Sequence, residues 1–142
     1  MHRNNWANSV SCLLCLVLLS CQSNPVNTYQ PEADIFYPGT TTMRPEAADA
    51  LAPLGEMLHD YSDKYSYRIH VYVNDQGSLS DQLKLTQDQA EIIASYMWAN
   101  FNVPLDNFIE ISGKGSQKPV ANPNSPQGNS TNRRISVIYE PK

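Results

Sequence analysis

The chain has 142 residues, 17% charged and 41% hydrophobic, with a formal net charge of -4 at pH 7. That balance leaves no basic field for nucleic acid or for anionic membrane surfaces, and the length holds one domain once any targeting segment is removed. Ten prolines argue for extended linkers and ordered loops rather than an all-helical body.

The N-terminus sets the compartment. Met1 to Ala7 is short and polar with Arg3 as its positive charge, and Val10 to Leu19 is apolar. About ten apolar residues match a signal-peptide core and fall well short of the roughly 20 that cross a bilayer. The run ends in Leu18-Leu19-Ser20-Cys21 and turns polar at Gln22-Ser23-Asn24-Pro25. A small residue before a cysteine at such a boundary resembles a bacterial lipobox, in which the cysteine is acylated and becomes the new N-terminus; an ordinary secretory signal or an uncleaved anchor is the alternative. Cys12 and Cys15 lie in the removed segment, so Cys21 remains alone, with no disulfide, thiolate metal site or spare nucleophile. At about 0.8 kcal/mol per buried CH₂, a triacylated cysteine is anchored for good. Gln22 in place of an aspartate resembles the enterobacterial signal for passage to the outer membrane, with the domain facing the periplasm.

Gln22 to Pro31 has almost no aliphatic content and reads as a tether that spans about 33 Å when extended. Glu32 to Lys142 is then one domain. Ile35-Phe36-Tyr37 is a predicted short strand ended by Pro38-Gly39. Arg44-Pro45-Glu46 opens a helix with Leu51, Leu54, Leu58 and Tyr61 on one face, and Pro53 either kinks it or delays its start. Tyr67 to Asp75 alternates, with Ile69, Val71 and Val73 one way and Arg68, His70 and Tyr72 the other, as a half-buried strand does. Asn74-Asp75-Gln76-Gly77 supplies the turn. Thr86 with Gln89 forms a possible capping box, and Ala90, Ile93, Met97 and Phe101 give a helical stripe ended by Val103-Pro104. Phe108 to Ser112 and the alternating Ile135, Val137 and Tyr139 are the last strands, separated by a polar loop from Gly113 to Thr131. The order βαβαββ predicts an α+β two-layer sandwich with two helices on one face of a mixed sheet.

No GxSxG, HExxH, P-loop or CxxC motif occurs, and the acidic residues lack metal-like spacing. His59 and His70 read as surface residues. On residues alone this is a non-enzymatic binding or structural module, and no cofactor or metal is expected.

Several segments together resemble one family. Ile69 to Gly77 matches the second strand and GHTDxxG turn of the OmpA C-terminal (OmpA/Pal/MotB-like) domain. Leu85-Thr86-Gln87-Asp88-Gln89-Ala90 matches its LSxxRA, and Val103 to Gly115 its GVPADRIxxxGxG. Pro119-Val120 with Asn122 resembles P-V/I-x-x-N with the asparagine one residue early, and Asn132-Arg133-Arg134-Ile135 matches NRRV. The segments keep their order over roughly 105 residues, from about Ile35 to Tyr139. Members of the family hold the diaminopimelate of the peptidoglycan stem peptide. An aspartate of the turn takes its ammonium, and the LSxxRA arginine takes its carboxylate. The resemblance places Asn74 at the aspartate position, Gln89 at the arginine position, and Gln82 where an asparagine commonly assists.

Both charged groups are thus replaced by amides. A charge-assisted hydrogen bond contributes about 1.5–3 kcal/mol against about 0.5–1.5 for a neutral one. Two such losses cost roughly 2–4 kcal/mol, on the order of 30- to 1,000-fold in affinity. Asp75, one residue along, replaces the aspartate only if the strand end shifts. For Gln89 a capping role and for Asn74 a turn role stand beside ligand contact, and Arg133 and Arg134 are expected either to touch ligand or to hold the long loop through its carbonyls. Two readings remain. In one, the chain is a structural component of an envelope-spanning assembly with a degenerate peptidoglycan site, similar to the small OmpA-like lipoproteins in the outer-membrane complex of Dot/Icm-type IVB secretion systems. In the other, it is a peptidoglycan anchor stapling the outer membrane to the wall.

Overall fold

The computed structural model describes residues 27–29, 31, 34–74 and 77–142. Cys21 and Asp75 lie outside the described residues, as does the whole signal segment. Among the described residues the order is β1 (Asn27–Tyr29), α1 (Ala47–Asp60), β2 (Tyr65–Tyr72), α2 (Leu79–Phe101), a 3-10 turn (Leu105–Asn107), β3 (Phe108–Gly115), α3 (Pro126–Asn132) and β4 (Arg134–Pro141). The strands form one mixed sheet ordered β1-β4-β2-β3. β2 and β3 run parallel, which requires a crossover, and α2 supplies it. β4 lies antiparallel to β2 and β1 antiparallel to β4.

The alternation read in the sequence places the core. Tyr67, Ile69 and Val71 point inward with Ile135 and Val137 of β4, and meet Leu51, Leu54 and Leu58 of α1 and Ala90, Ile93 and Met97 of α2. Burying one such aliphatic side chain contributes about 1.5–3 kcal/mol. Two close approaches lock the helices down. A β-carbon on Gly55 would lie 2.3 Å from the Phe101 ring, and one on Gly113 would lie 2.2 Å from the Gln87 backbone nitrogen. The sandwich is therefore the expected α+β architecture, with α1 and α2 packed against the sheet.

Several local expectations differ from the structure. Asn27–Tyr29, inside the stretch read as tether, is the edge strand β1; three residues beside Pro25 and Pro31 carry too little pattern to declare a strand. Ile35-Phe36-Tyr37 contributes only a bridge, Phe36 to Met43, within a hairpin closed by Arg44 N–H to the Ile35 carbonyl at 2.9 Å. α1 runs through Pro53, and Tyr61 is its exposed C-cap rather than a core residue.

α2 starts at Leu79, not near Thr86. Its N-cap is Ser78, whose Oγ accepts from Asp81 N–H at 3.1 Å and donates to the Asp81 carboxylate at 2.7 Å. Thr86 sits within the helix, donating to the Gln82 carbonyl at 2.8 Å and accepting from Gly115 N–H at 3.0 Å. Finally, the predicted loop from Gly113 to Thr131 holds the end of β3 and most of α3, which Ser125 caps by accepting from Gly128 N–H.

Candidate functional site

The site positions fall at the end of the sheet where β2 finishes and β4 begins. There the hairpin 34–44, the last residues of β2, α2 and the α3–β4 corner enclose an open cleft of about 470 Å³. Val71 and Val73 line it together with Tyr37, Gln89, Arg133 and Arg134. Among the described residues its charged lining is the Arg133 and Arg134 guanidinium groups and the Asp34 carboxylate.

Each polar side chain already has work. Gln89, only 3% exposed on the inner face of α2, donates from Nε2 to the Thr40 carbonyl at 2.7 Å and so pins the hairpin to the helix. It does not cap Thr86. Arg133 pairs with Asp34 at 3.5 Å. Arg134 lays its guanidinium over the Tyr72 ring, 3.7 Å from the centroid, and donates to the Lys118 carbonyl at 3.0 Å and the Asn132 carbonyl at 3.3 Å. Burial pulls the Arg134 pKa below its ordinary value.

Asn74 is not part of the cleft lining. Its Nδ2 donates to the Pro123 carbonyl at 3.2 Å and to the Asn129 side chain, which ties the end of β2 to α3. Gln82 sits near the start of α2, Nε2 donating to the Gly77 carbonyl at 3.4 Å, and it too lies outside the cleft lining. The structure therefore brings together Gln89, Arg133 and Arg134, and leaves Asn74 and Gln82 beside the cleft.

Sequence reasoning missed four participants. Asp34 and Thr40 meet their partners only through the fold, across 99 and 49 residues, and carried no local signal. Asn129 likewise meets Asn74 only through the fold, whereas Asn132 was readable because it opens the NRRV-like segment. Its buried Oδ1 accepts from Val120 N–H at 2.8 Å and Ala121 N–H at 3.0 Å, while Nδ2 donates to the Ala121 carbonyl at 3.0 Å.

A second polar cluster covers the sheet face opposite the helices. Glu110 of β3 is its hub, accepting from Arg68 at 2.9 Å, Lys114 at 2.9 Å and the His70 ring at 2.9 Å; Arg68 also pairs with Glu140 at 2.7 Å. The Lys114 and Arg68 hydrogen bonds pull Glu110 down to about 2. His70, read as a surface residue, is only 14% exposed, and burial first and Lys114 second hold its pKa below the ordinary 6.5. In the unfolded chain His70 takes up its proton as pH falls through 6.5, whereas the folded chain resists it. The His70 contribution to stability is thus complete above pH 6.5 and declines as pH falls towards its folded value. Thermal melts should show a lower Tm at pH 5 than at pH 7, with a smaller difference in His70→Asn; equal slopes in the two proteins would contradict this assignment.

Among the described residues no group of three or more His, Cys, Asp or Glu side chains is placed to hold a metal ion.

With this geometry in place, comparison with known proteins assigns the class. The sequence profile of the OmpA family matches residues 35–133, and the chain belongs to that family. Its fold is also that of solved structures. The periplasmic domain of Helicobacter pylori MotB superposes with a TM-score of 0.71 at 12% identity, covering 85% of this chain and 80% of that one. The peptidoglycan-associated lipoprotein of Burkholderia pseudomallei gives 0.65 at 20% identity, covering 75% and 87%. The cell wall anchor of the Pseudomonas aeruginosa type VI secretion system gives 0.61 at 20% identity, covering 81% and 80%. A search of curated proteins finds no match.

Proposed function

We propose that this chain is a non-catalytic lipoprotein of the outer membrane. In this reading it is anchored through acyl chains on Cys21, and its OmpA-like domain, from about residue 32 onward behind a lipoprotein signal of residues 1–20, faces the periplasm as a structural component of an envelope-spanning assembly. The observation that carries the reading is how the two amides are used. Gln89 and Asn74 stand where the family resemblance calls for an arginine and an aspartate, and both donate to the chain's own carbonyls, Thr40 and Pro123. With their nitrogens bonded to the chain itself, both amides serve its own structure, beside the roughly 2–4 kcal/mol lost with the charges.

The fold then serves as a rigid body on which partner subunits assemble. Its size and lipobox suit a type IVB secretion apparatus, as a subunit of the DotK kind, and the Pseudomonas aeruginosa secretion-system anchor has the same fold. The cleft favours a second reading, a peptidoglycan-binding anchor, because it stays open and keeps Arg133 and Arg134 on its wall.

Native extraction separates the two. Tagged protein from gently solubilised envelopes should co-purify with large partner subunits in fixed ratio. Release from the envelope only after muramidase digestion, without such partners, would replace the scaffold with the wall anchor.

A further inference from the structure

The direction of β1 orients the domain. Asn27 pairs with Tyr139 and Tyr29 with Val137, so passing from Tyr29 back to Asn27 moves towards the C-terminal end of β4. That is the end where β2 begins, because Tyr65 pairs with Pro141. Cys21 lies six residues before Asn27. Six residues reach at most about 20 Å, less than the roughly 26 Å that the eight residues of β2 span.

The same end carries most of the large exposed apolar side chains among the described residues. Among the described residues seven large hydrophobic side chains are exposed, and four of them sit here: Tyr61 at 47%, Trp98 at 55%, Leu105 at 48% and Ile109 at 48%. They come from the α1 C-cap, the last turn of α2, the 3-10 turn and the start of β3. One polar knot ties the turn after α1, the start of β2, the 3-10 turn and the C-terminus together at this end, and the 3-10 turn follows α2 by three residues. Asn107 Nδ2 donates to the Ser62 and Tyr65 carbonyls, and Lys142 Nζ donates to the Ser62 carbonyl at 2.7 Å and to Asn107 Oδ1 at 3.2 Å. Beside it Tyr61, Tyr65 and Tyr139 stack edge to face, with centroids 6.1 and 5.5 Å apart.

Tyrosine, tryptophan and lysine are the side chains that settle at a membrane–water boundary, their apolar bodies inward and polar tips wet. The segments at this end hold two lysines, Lys64 and Lys142, and three aspartates, Asp60, Asp63 and Asp106, so charge does not itself drive binding. The tether does so, by keeping the face at a high effective concentration near lipid.

We propose that the Tyr61–Trp98–Leu105–Ile109 end of the domain rests on the bilayer in which Cys21 is anchored, so that the Gln89–Arg133 cleft points away from it. Eight residues of β2 separate the two ends, so the cleft is held about 26 Å further from the headgroups. The proposal rests on the reading of Cys21 as the lipidation site, which the test checks separately.

Trp98 is the natural probe, because removal of the signal segment takes Trp6 and leaves it as the sole tryptophan. The full chain, processed in cells and purified in detergent, is weighed by mass spectrometry to count its acyl chains. It is then reconstituted into phosphatidylethanolamine–phosphatidylglycerol vesicles with and without acyl-chain-brominated lipid. Trp98 emission should shift to shorter wavelength on reconstitution and lose intensity to the bromine. The pair Leu105→Glu with Ile109→Glu, at half-exposed positions, should abolish both effects while leaving acylation and Tm in place. Acylated protein whose Trp98 is blind to bromine keeps the anchor and overturns the proposal. Emission that instead depends on protein concentration assigns the face to a second copy, and also overturns it. A chain without acyl groups removes anchor and proposal together.

Discussion

Replacing Gly113 by alanine is expected to lower stability by about 3 kcal/mol, because the added methyl group meets backbone that cannot step aside. The new carbon would lie 2.2 Å from Gln87 N, 2.5 Å from Thr86 Oγ1 and 2.6 Å from the Thr86 carbonyl carbon. Those atoms belong to the middle of α2, whose stripe fills the core, so relief means lifting the helix off β3. The contact also seals a sheet edge. Gln87 accepts from Gly113 N–H at 2.9 Å and donates to the Ile111 carbonyl at 3.2 Å, while Thr86 accepts from Gly115 N–H. These side chains take the place of a neighbouring strand along β3, which would otherwise offer open backbone groups to another chain. Moving α2 outward breaks all three bonds. For a domain of this size the melting temperature should fall by on the order of 10 °C. A Gly113→Ala protein that melts with the parent would show that β3 and α2 do not approach as described.

The second large effect is expected at Asn132, which is 2% exposed. Asn132→Ala deprives two backbone N–H groups and one carbonyl of their partner at once. Each orphaned buried group costs about 1–3 kcal/mol, but Val120 is exposed and water repairs part of the loss, so a total of about 2–3 kcal/mol is expected. The loss should be uneven. Amide hydrogen exchange should quicken across 116–125 and α3 well before it quickens in β2, because the asparagine holds that loop and not the core. Uniform acceleration through the whole sheet would mean that Asn132 supports the global fold instead.

The parts of this fold that were legible in the sequence are those fixed by burial on one face. Ile69, Val71 and Val73 alternate because one side of β2 meets helices, and Ala90, Ile93 and Met97 recur because α2 turns one side to the sheet. Where burial does not impose a period, reading failed. α3 is built from Pro126-Gln127-Gly128-Asn129-Ser130-Thr131-Asn132, with no apolar stripe, and it stands on the Ser125 cap and on the contacts of Asn129 and Asn132. The first two turns of α2 bury Gln82 and leave Leu79, Leu83 and Leu85 at least partly exposed, so the Thr86–Gln89 spacing imitated a helix start inside a helix already under way. The site divides the same way. Gln89, Arg133 and Arg134 were singled out from motif positions and do share the cleft, whereas Asp34 and Thr40 reach it only through the hairpin that folds back over α2.

If the amides at Asn74 and Gln89 have taken this domain off the cell wall and left it as a scaffold, as proposed above, the native domain does not hold peptidoglycan. A sacculus pull-down tests it most directly, using the chain from Gln22 to Lys142 beside the double variant Asn74→Asp with Gln89→Arg. The native domain should stay in the supernatant and the double variant should sediment with peptidoglycan. Sedimentation of the native domain, reversed by free diaminopimelate, would contradict that proposal and make the protein a wall anchor.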